Sequence, residues 1–350
     1  MKLRIYFKPG LAVLLLGVAA AVAWAATLAI GWPLRILPLP FALFYSILFG
    51  LSVWALWRIQ VLERWLAWDR AHRLLILAPH EDDCVISAGG IGMRNRELKG
   101  ATRIAYLAAD ETPGMPAIRA AEAIAAWQEA GLDAAHLHHL DVLPSLQRRD
   151  PQQLRLAARA LRNAIDDFKP TVLVMPMFEG GHIQHDMTAA LVGSIVTEQD
   201  SFEIFEAPEY SPRVSLMDTP HRIIALATRW LFGLVAYYGP PDGVDSRPIL
   251  KVRLSENELA GKHRMLSAFT SQNAPSLAAT RAYPDRLVRW TAGSRRRHPF
   301  SPGLYESLAA TTRRLLPAAV ARRLLPIQEG PIGRDAMTDW EAEWDNAVDR

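Results

Sequence analysis

The run LLILAPHEDDCVISAGG, residues 74–90, decides the fold. It opens with five aliphatic residues, a continuous apolar stretch that reads as a strand buried on both faces. It then stops at His80, Glu81, Asp82 and Asp83 before resuming as a small-residue, helix-like segment. In parallel α/β sheets ligands bind just beyond the carboxyl ends of such strands, so four ionisable side chains fall where a site is expected.

Outward from this run the pattern alternates between strand and helix. A helix is predicted over 86–99, ended by Gly100, then a strand over 102–108 and a helix over 117–130 closed by Gly131. A weaker strand at 136–140 precedes an amphipathic helix over 151–168, with Pro151 in its first turn, and a buried strand over 171–176. After MFEGGHIQHD a helix follows over 186–197, with Asp186 as its expected N-cap. A strand at 250–254 leads into a helix opened by a Ser255/Glu258 capping box. Strands and helices in this order imply an α/β fold, a Rossmann-like three-layer domain with a mostly parallel sheet.

The front of the chain is of another kind. Residues 9–34 carry no charge, and 11–32, roughly 22 residues, are long enough to cross the ~30 Å hydrocarbon layer of a bilayer. A second charge-free run, 36–57, follows across GWPLRILPLP, whose Trp32 and prolines suit an interfacial turn. A cleaved secretory signal is the competing reading of the first run, but its apolar core exceeds the ~7–15 residues of such signals and the second run would stand unexplained. Lys2, Arg4 and Lys8 precede the pair, Arg58, Arg64, Arg70 and Arg73 follow it, and Arg35 alone lies between. By the positive-inside bias the expectation is a multi-pass transmembrane hairpin of two helices, with the remainder facing the cytoplasm. Residues 58–73, with Val61, Leu62, Trp65, Leu66 and Trp68 at helical spacing, are predicted to form a helix along the membrane surface.

The expected organisation is therefore a membrane hairpin (1–58), an interfacial linker helix (59–73), an α/β domain (74–306) and a basic C-terminal extension and tail (307–350). The apolar stretch 222–238, interrupted by Arg229, reads as an interfacial or core segment rather than a third span. A net charge of +3 is too small to argue for nucleic acid. The local clusters Arg295–Arg297 and Arg313, Arg314, Arg322 and Arg323 suit anionic lipid headgroups or a solvated face. The lone Cys84 excludes an internal disulfide.

Two loops collect the chemistry: His80, Asp82 and Asp83 after the first strand, and His182 and His185 after the strand at 171–176. Both follow predicted carboxyl ends of parallel strands, so they face one crevice. Two imidazoles and a carboxylate are a normal three-ligand set for a catalytic Zn²⁺ with an open position, and a further carboxylate serves as base. Imidazole–carboxylate sites also accept other divalent metals.

These residues resemble the PIG-L/LmbE-type zinc-dependent de-N-acetylases. The family's His-Pro-Asp-Asp-Glu motif reads His80-Glu81-Asp82-Asp83-Cys84 here, and its His-Pro-Asp-His type motif reads His182-Ile183-Gln184-His185, after Glu179, Gly180 and Gly181. Arg119 with Glu122, and KHRMLSAFTSQ at 262–272, match further; the resemblance covers about 72–306. Proline stands before His80 rather than after it, Glu81 occupies the family's proline position, and Cys84 replaces a glutamate. Cys84 is expected as a small buried side chain.

The resemblance implies that His80, Asp83 and His185 hold the zinc, that Asp82 is the general base, and that His182 faces the oxyanion. It implies a metal-activated water attacking the acetamide, with Asp82 moving the proton. Arg119 is the candidate for substrate contact; the competing reading is an i,i+3 pair with Glu122 on a solvated helix face. The expected partners are an N-acetylated amino sugar of the N-acetylglucosamine type, free or lipid-linked, and membrane lipids. The rival readings are a non-catalytic sugar-binding or scaffolding module, and an amidase acting on a non-sugar conjugate.

Overall fold

The structure, a computed structural model, describes residues 9–108, 112–143, 151–177, 183–197, 199–209, 248–281 and 283–291, with isolated positions between 311 and 320. Helices α1 (Pro9–Ala29) and α2 (Leu39–Leu62) pack against each other antiparallel. Trp24 Nε1 donates to Ser46 Oγ at 2.9 Å, and a Cβ on Gly17 would lie 3.0 Å from the Phe49 ring. Around this contact large apolar side chains point outward, among them Leu14, Val22, Leu28, Phe41, Ile47 and Trp57. One segment among the described residues, Leu34–Trp54, is long and apolar enough to cross a membrane; the apolar stretch Val13–Ala29 of the first helix is shorter.

The described strands are β1 (Glu63–Leu66), β2 (Arg73–Ala78), β3 (Ala101–Ala108), β4 (Leu137–Leu143), β5 (Val172–Pro176), β6 (Glu203–Ala207), β7 (Ile249–Val252) and β8 (Arg286–Arg289). They form one eight-stranded sheet in the order β1-β7-β8-β6-β5-β2-β3-β4. Every neighbouring pair is parallel except the two made by β8, which runs antiparallel to β6 and β7.

Alternation along the central strands sorts the core into two faces. Leu74, Ile76, Ile104, Tyr106, Val172 and Val174 face α3 (Asp83–Glu97), α4 (Met115–Gln128), α7 (Glu256–Ser267) and α8 (Ala274–Arg281). Leu75, Leu77, Ala105, Leu107, Leu173 and Met175 face α5 (Pro151–Phe168) and α6 (Ile183–Ile195). On α5 the residues Ala157, Leu161, Ile165 and Phe168 recur at three- and four-residue steps, so one stripe meets the sheet. The three layers expected from the sequence are present.

The surface helix expected over 59–73 is corrected. Helix α2 continues to Leu62 and passes directly into β1, which pairs with β7 in the register Glu63↔Ile249 to Leu66↔Val252. The apolar residues of this stretch fit helical spacing, but Leu66 and Trp68 also alternate with exposed Trp65 and Ala67, a strand period that the free edge of β7 satisfies. The sheet thus takes its first strand from Glu63–Leu66, ahead of Leu74. Strands β6 and β8 had not been read from the sequence. Asp186 lies inside α6 rather than at its N-cap, because the helix begins at Ile183. The segment 222–238, the arginine clusters at 295–297 and 313–323, and most of the C-terminal extension lie outside the described residues.

Helix α3 is small-sided because its neighbours leave no room. A Cβ on Gly90 would lie 2.3 Å from Leu254 Cδ1, and one on Gly92 2.5 Å from Trp127 Cζ3. The helix breaks at Ala88 (φ −142°, ψ 17°), and two polar groups flanking the break find partners outside it. Ile91 N–H donates to Asp285 Oδ2 at 2.6 Å, and Lys262 Nζ donates to Ile86 O at 2.8 Å. Lys262 and Asp285, both fully buried, pair at 2.5 Å, and Lys262 also donates to Tyr283 O at 3.0 Å. Removing one partner of a buried ion pair costs about 3–5 kcal/mol. Lys262→Met should therefore shift the urea unfolding midpoint sharply downward; an unchanged midpoint would show that the pair does not hold α3.

Candidate active site

Strand β2 is followed in sequence by β3 and β4 on one side of the sheet, and the chain then crosses to β5 and β6 on the other. The carboxyl ends of β2 and β5 therefore border the switch point, where a crevice opens between loops that diverge to opposite sides. The loop after β2 carries His80 to Asp83, and α6 after β5 begins with Ile183, Gln184 and His185.

Asp83 is the meeting point. Its Oδ2 accepts from His80 N–H at 3.0 Å and lies 2.9 Å from His80 Nδ1 and 3.1 Å from His185 Nε2. The His80 and His185 rings stand 5.8 Å apart, centre to centre. Asp83 and His185 are buried and His80 is partly exposed. His80, Asp83 and His185 each offer a ligand atom within 4.8 Å of the others. Tetrahedral ligands about 2.0–2.1 Å from a zinc ion stand roughly 3.3 Å from one another, so the 2.9 and 3.1 Å spacings fit a small divalent cation after slight expansion.

Charge couples these groups. Burial alone would raise the Asp83 carboxyl, but His185 and His80 outweigh it and hold Asp83 well below the usual carboxylate range. Burial would lower His80, yet the charge and hydrogen bond of Asp83 raise it to about 9. Asp82, at the N-cap of α3, is pushed up to about 7, first by burial and then by the charge of Asp83.

Glu81, the departure from the family motif, is buried. Its Oε2 lies 3.8 Å from Arg119 Nη1 and its Oε1 4.0 Å from His139 Nδ1. Burial raises its carboxyl, against the opposing charges of Arg119 and His80. Arg119 thus reaches the loop after β2 from α4. Glu122 is occupied elsewhere: it accepts from Thr270 Oγ1, Ser271 N and Ser271 Oγ, each at 2.7 Å. Arg119 and Glu122 are therefore not a solvated surface pair.

Cys84 is fully buried, with its Sγ 3.3 Å from Tyr106 Oη and accepting from Trp127 Nε1 at 3.2 Å. Burial pushes the thiol well above its ordinary range, so it is neutral, and it donates to Glu81 O at 3.1 Å. His182, Glu179, Gly180 and Gly181 lie outside the described residues. The sequence reading missed Gln184, whose Oε1 stands 2.5 Å from His80 Nε2, and His139, which stacks on Tyr106 at 4.7 Å. Gln184 lies within the second motif, but nothing in its spacing announces a partner more than a hundred residues away.

Residues 75–196 match the family described as PIG-L: GlcNAc-PI de-N-acetylase, and this part of the chain is a PIG-L family domain. The match includes both halves of the cluster. Among solved structures, the A40926 pseudoaglycone deacetylase Dbv21 is 16% identical, with 63% of this chain and 97% of that chain covered and a TM-score of 0.44. The N,N'-diacetylchitobiose deacetylase from Pyrococcus horikoshii is 14% identical over 63% of this chain and 85% of that one, with a TM-score of 0.35. GalB, the 4-carboxy-2-hydroxymuconate hydratase from Pseudomonas putida KT2440, is 14% identical over 64% and 97%, with a TM-score of 0.36. No curated protein matches.

A metal at this cluster must displace the proton that His80 otherwise keeps. In the metal-free protein the stabilisation from this imidazolium is fully present below the ordinary histidine value of 6.5 and is lost as pH rises through about 9. Metal affinity should accordingly climb about tenfold per pH unit between pH 7 and 9, with proton release on binding. Chelator competition at several pH values measures this; a flat profile would mean that no proton leaves His80 when the metal binds.

Proposed function

We propose that the chain is a metal-dependent hydrolase that removes the acetyl group from an N-acetylated amino sugar. The observation that carries this reading is the convergence of His80, Asp83 and His185 at the β2/β5 switch point, inside a domain of the de-N-acetylase family, with the Asp82 carboxyl beside them. His80, Asp83 and His185 would hold the cation, with Zn²⁺ the ion best matched to two imidazoles and one carboxylate. When bound, such a cation acidifies a water and polarises the amide carbonyl.

The protein groups supply the rest. Asp82, whose carboxyl is pushed up to about 7 by burial and then by the charge of Asp83, is assigned the proton transfer, from the attacking water to the departing amine nitrogen. His182, three residues before His185 in the second motif, is assigned to the oxyanion. Arg119, oriented by buried Glu81, is assigned to the sugar from the rim of the crevice.

The membrane reading extends from the same chain. Helices α1 and α2 leave their apolar side chains outward, a surface far larger than water-soluble monomers expose, and we assign both to the bilayer as a hairpin. The arginines and lysines flanking the pair support, by the positive-inside bias, an orientation with its two ends and the α/β domain in the cytoplasm. An anchored hydrolase meets an amphiphile at high local concentration, which favours a lipid-linked amino sugar.

Acetate release from a panel of free and lipid-linked N-acetylglucosamine compounds tests the reaction. Asp82→Asn should lower turnover by about 10²–10⁴-fold while keeping the metal. Metal-loaded protein that releases acetate from no member of the panel would overturn the assignment, as would an Asp82→Asn variant of unchanged activity.

A further inference from the structure

Every donor around the cluster must be aimed as well as present, and His80 is aimed by a residue from the opposite loop. Its Nδ1 faces Asp83 Oδ2 at 2.9 Å, on the side where His185 Nε2 also approaches. Its Nε2 faces the other way, 2.5 Å from Gln184 Oε1. A neutral imidazole has one N–H and one lone pair. For Nδ1 to present its lone pair to a cation, the proton must sit on Nε2, and an amide oxygen accepts that proton.

Gln184 is itself held in place. It is buried at 8% exposure, in the first turn of α6, and its backbone carbonyl accepts from Thr188 Oγ1 at 2.9 Å. It is also the residue immediately before His185, so α6 brings to the crevice both one ligand and the group that orients the ligand on the facing loop.

We propose that Gln184 is a positioning residue that selects the ligating tautomer of His80 and, being neutral, sets the affinity of the site for its cation. This rests on the metal site assigned above. Ligating histidines commonly donate their second N–H to a carboxylate, which orients the ring and makes it a stronger donor; an amide oxygen orients without adding charge. Affinity is then lower than a carboxylate at the same place would give.

Three forms of the full-length protein in detergent distinguish the possibilities, with Zn²⁺ affinity read by competition with a chromophoric chelator. Gln184→Leu keeps the volume but removes the acceptor, and should weaken binding by about 10–100-fold, the usual effect of losing such a partner. Gln184→Glu restores an acceptor and adds charge, and should bind about tenfold or more tightly than the parent. The absorption bands of the Co²⁺-loaded parent and Gln184→Glu should coincide in shape, while those of Gln184→Leu change as His80 turns. Unchanged affinity in Gln184→Leu, or a shift in the same direction for both variants, overturns the inference while leaving the metal site standing. A parent protein that binds neither Zn²⁺ nor Co²⁺ removes the metal site and this inference together.

Discussion

A buried carboxylate must be paired or it forces the structure around it to change, and Asp83 imposes that condition on the whole crevice. Among the described residues, its Oδ2 gathers the backbone N–H of His80, the ring of the same residue and the ring of His185. The first two contacts fold the turn after β2 back on the start of α3; the third joins that turn to α6. Placement in the first turn of α3 adds the favourable end of the helix dipole. Asp82, the residue before it, feels the opposite consequence: burial, and then the negative charge fixed beside it, raise its own carboxyl toward neutrality. One ionised and one readily protonated carboxylate thus stand side by side, separated by environment rather than by chemistry.

The segments outside the crevice serve this arrangement from behind. Lys262 and Asp285 satisfy groups on both sides of the break in α3, and Thr270 and Ser271 bind Glu122 on α4. The stretch 262–272 therefore touches α3 and α4, two of the three helices that bring residues to the site. Arg94 and Glu258 add a further link between α3 and α7, where Arg94 Nε donates to Glu258 Oε1 at 2.7 Å. The glycines of α3 permit these neighbours to approach closely.

Much of this was legible in the sequence because it rests on local patterns. Strand β2, helix α5 and the Ser255/Glu258 capping box are fixed by periodicity and by short-range hydrogen bonds, and they stand where they were expected. The cluster of His80, Asp83 and His185 was legible because two motifs followed two apolar runs. What failed depended on distant partners. Residues 63–66 become a strand because β7, nearly two hundred residues later, offers an edge; β6 and β8 are short and their neighbours in sequence give no alternating signal. Arg119 was matched in sequence to Glu122, but Glu81 lies within its reach only after β2 and α4 are packed. Cys84 was foreseen as buried, while its contacts with Tyr106 and Trp127 needed the fold.

The passage from α2 into β1 without an intervening residue makes the apolar helix pair part of the sheet's own architecture. A flexible tether can be cut anywhere along its length, but here the cut decides whether the sheet keeps its last strand. A shortened protein beginning at Leu74, where the apolar run of β2 invites a boundary, would lack β1 and leave one side of β7 with open hydrogen-bonding groups, the kind of bare edge through which sheets associate. Beginning at Glu63 keeps that edge covered and separates solubility from sheet integrity.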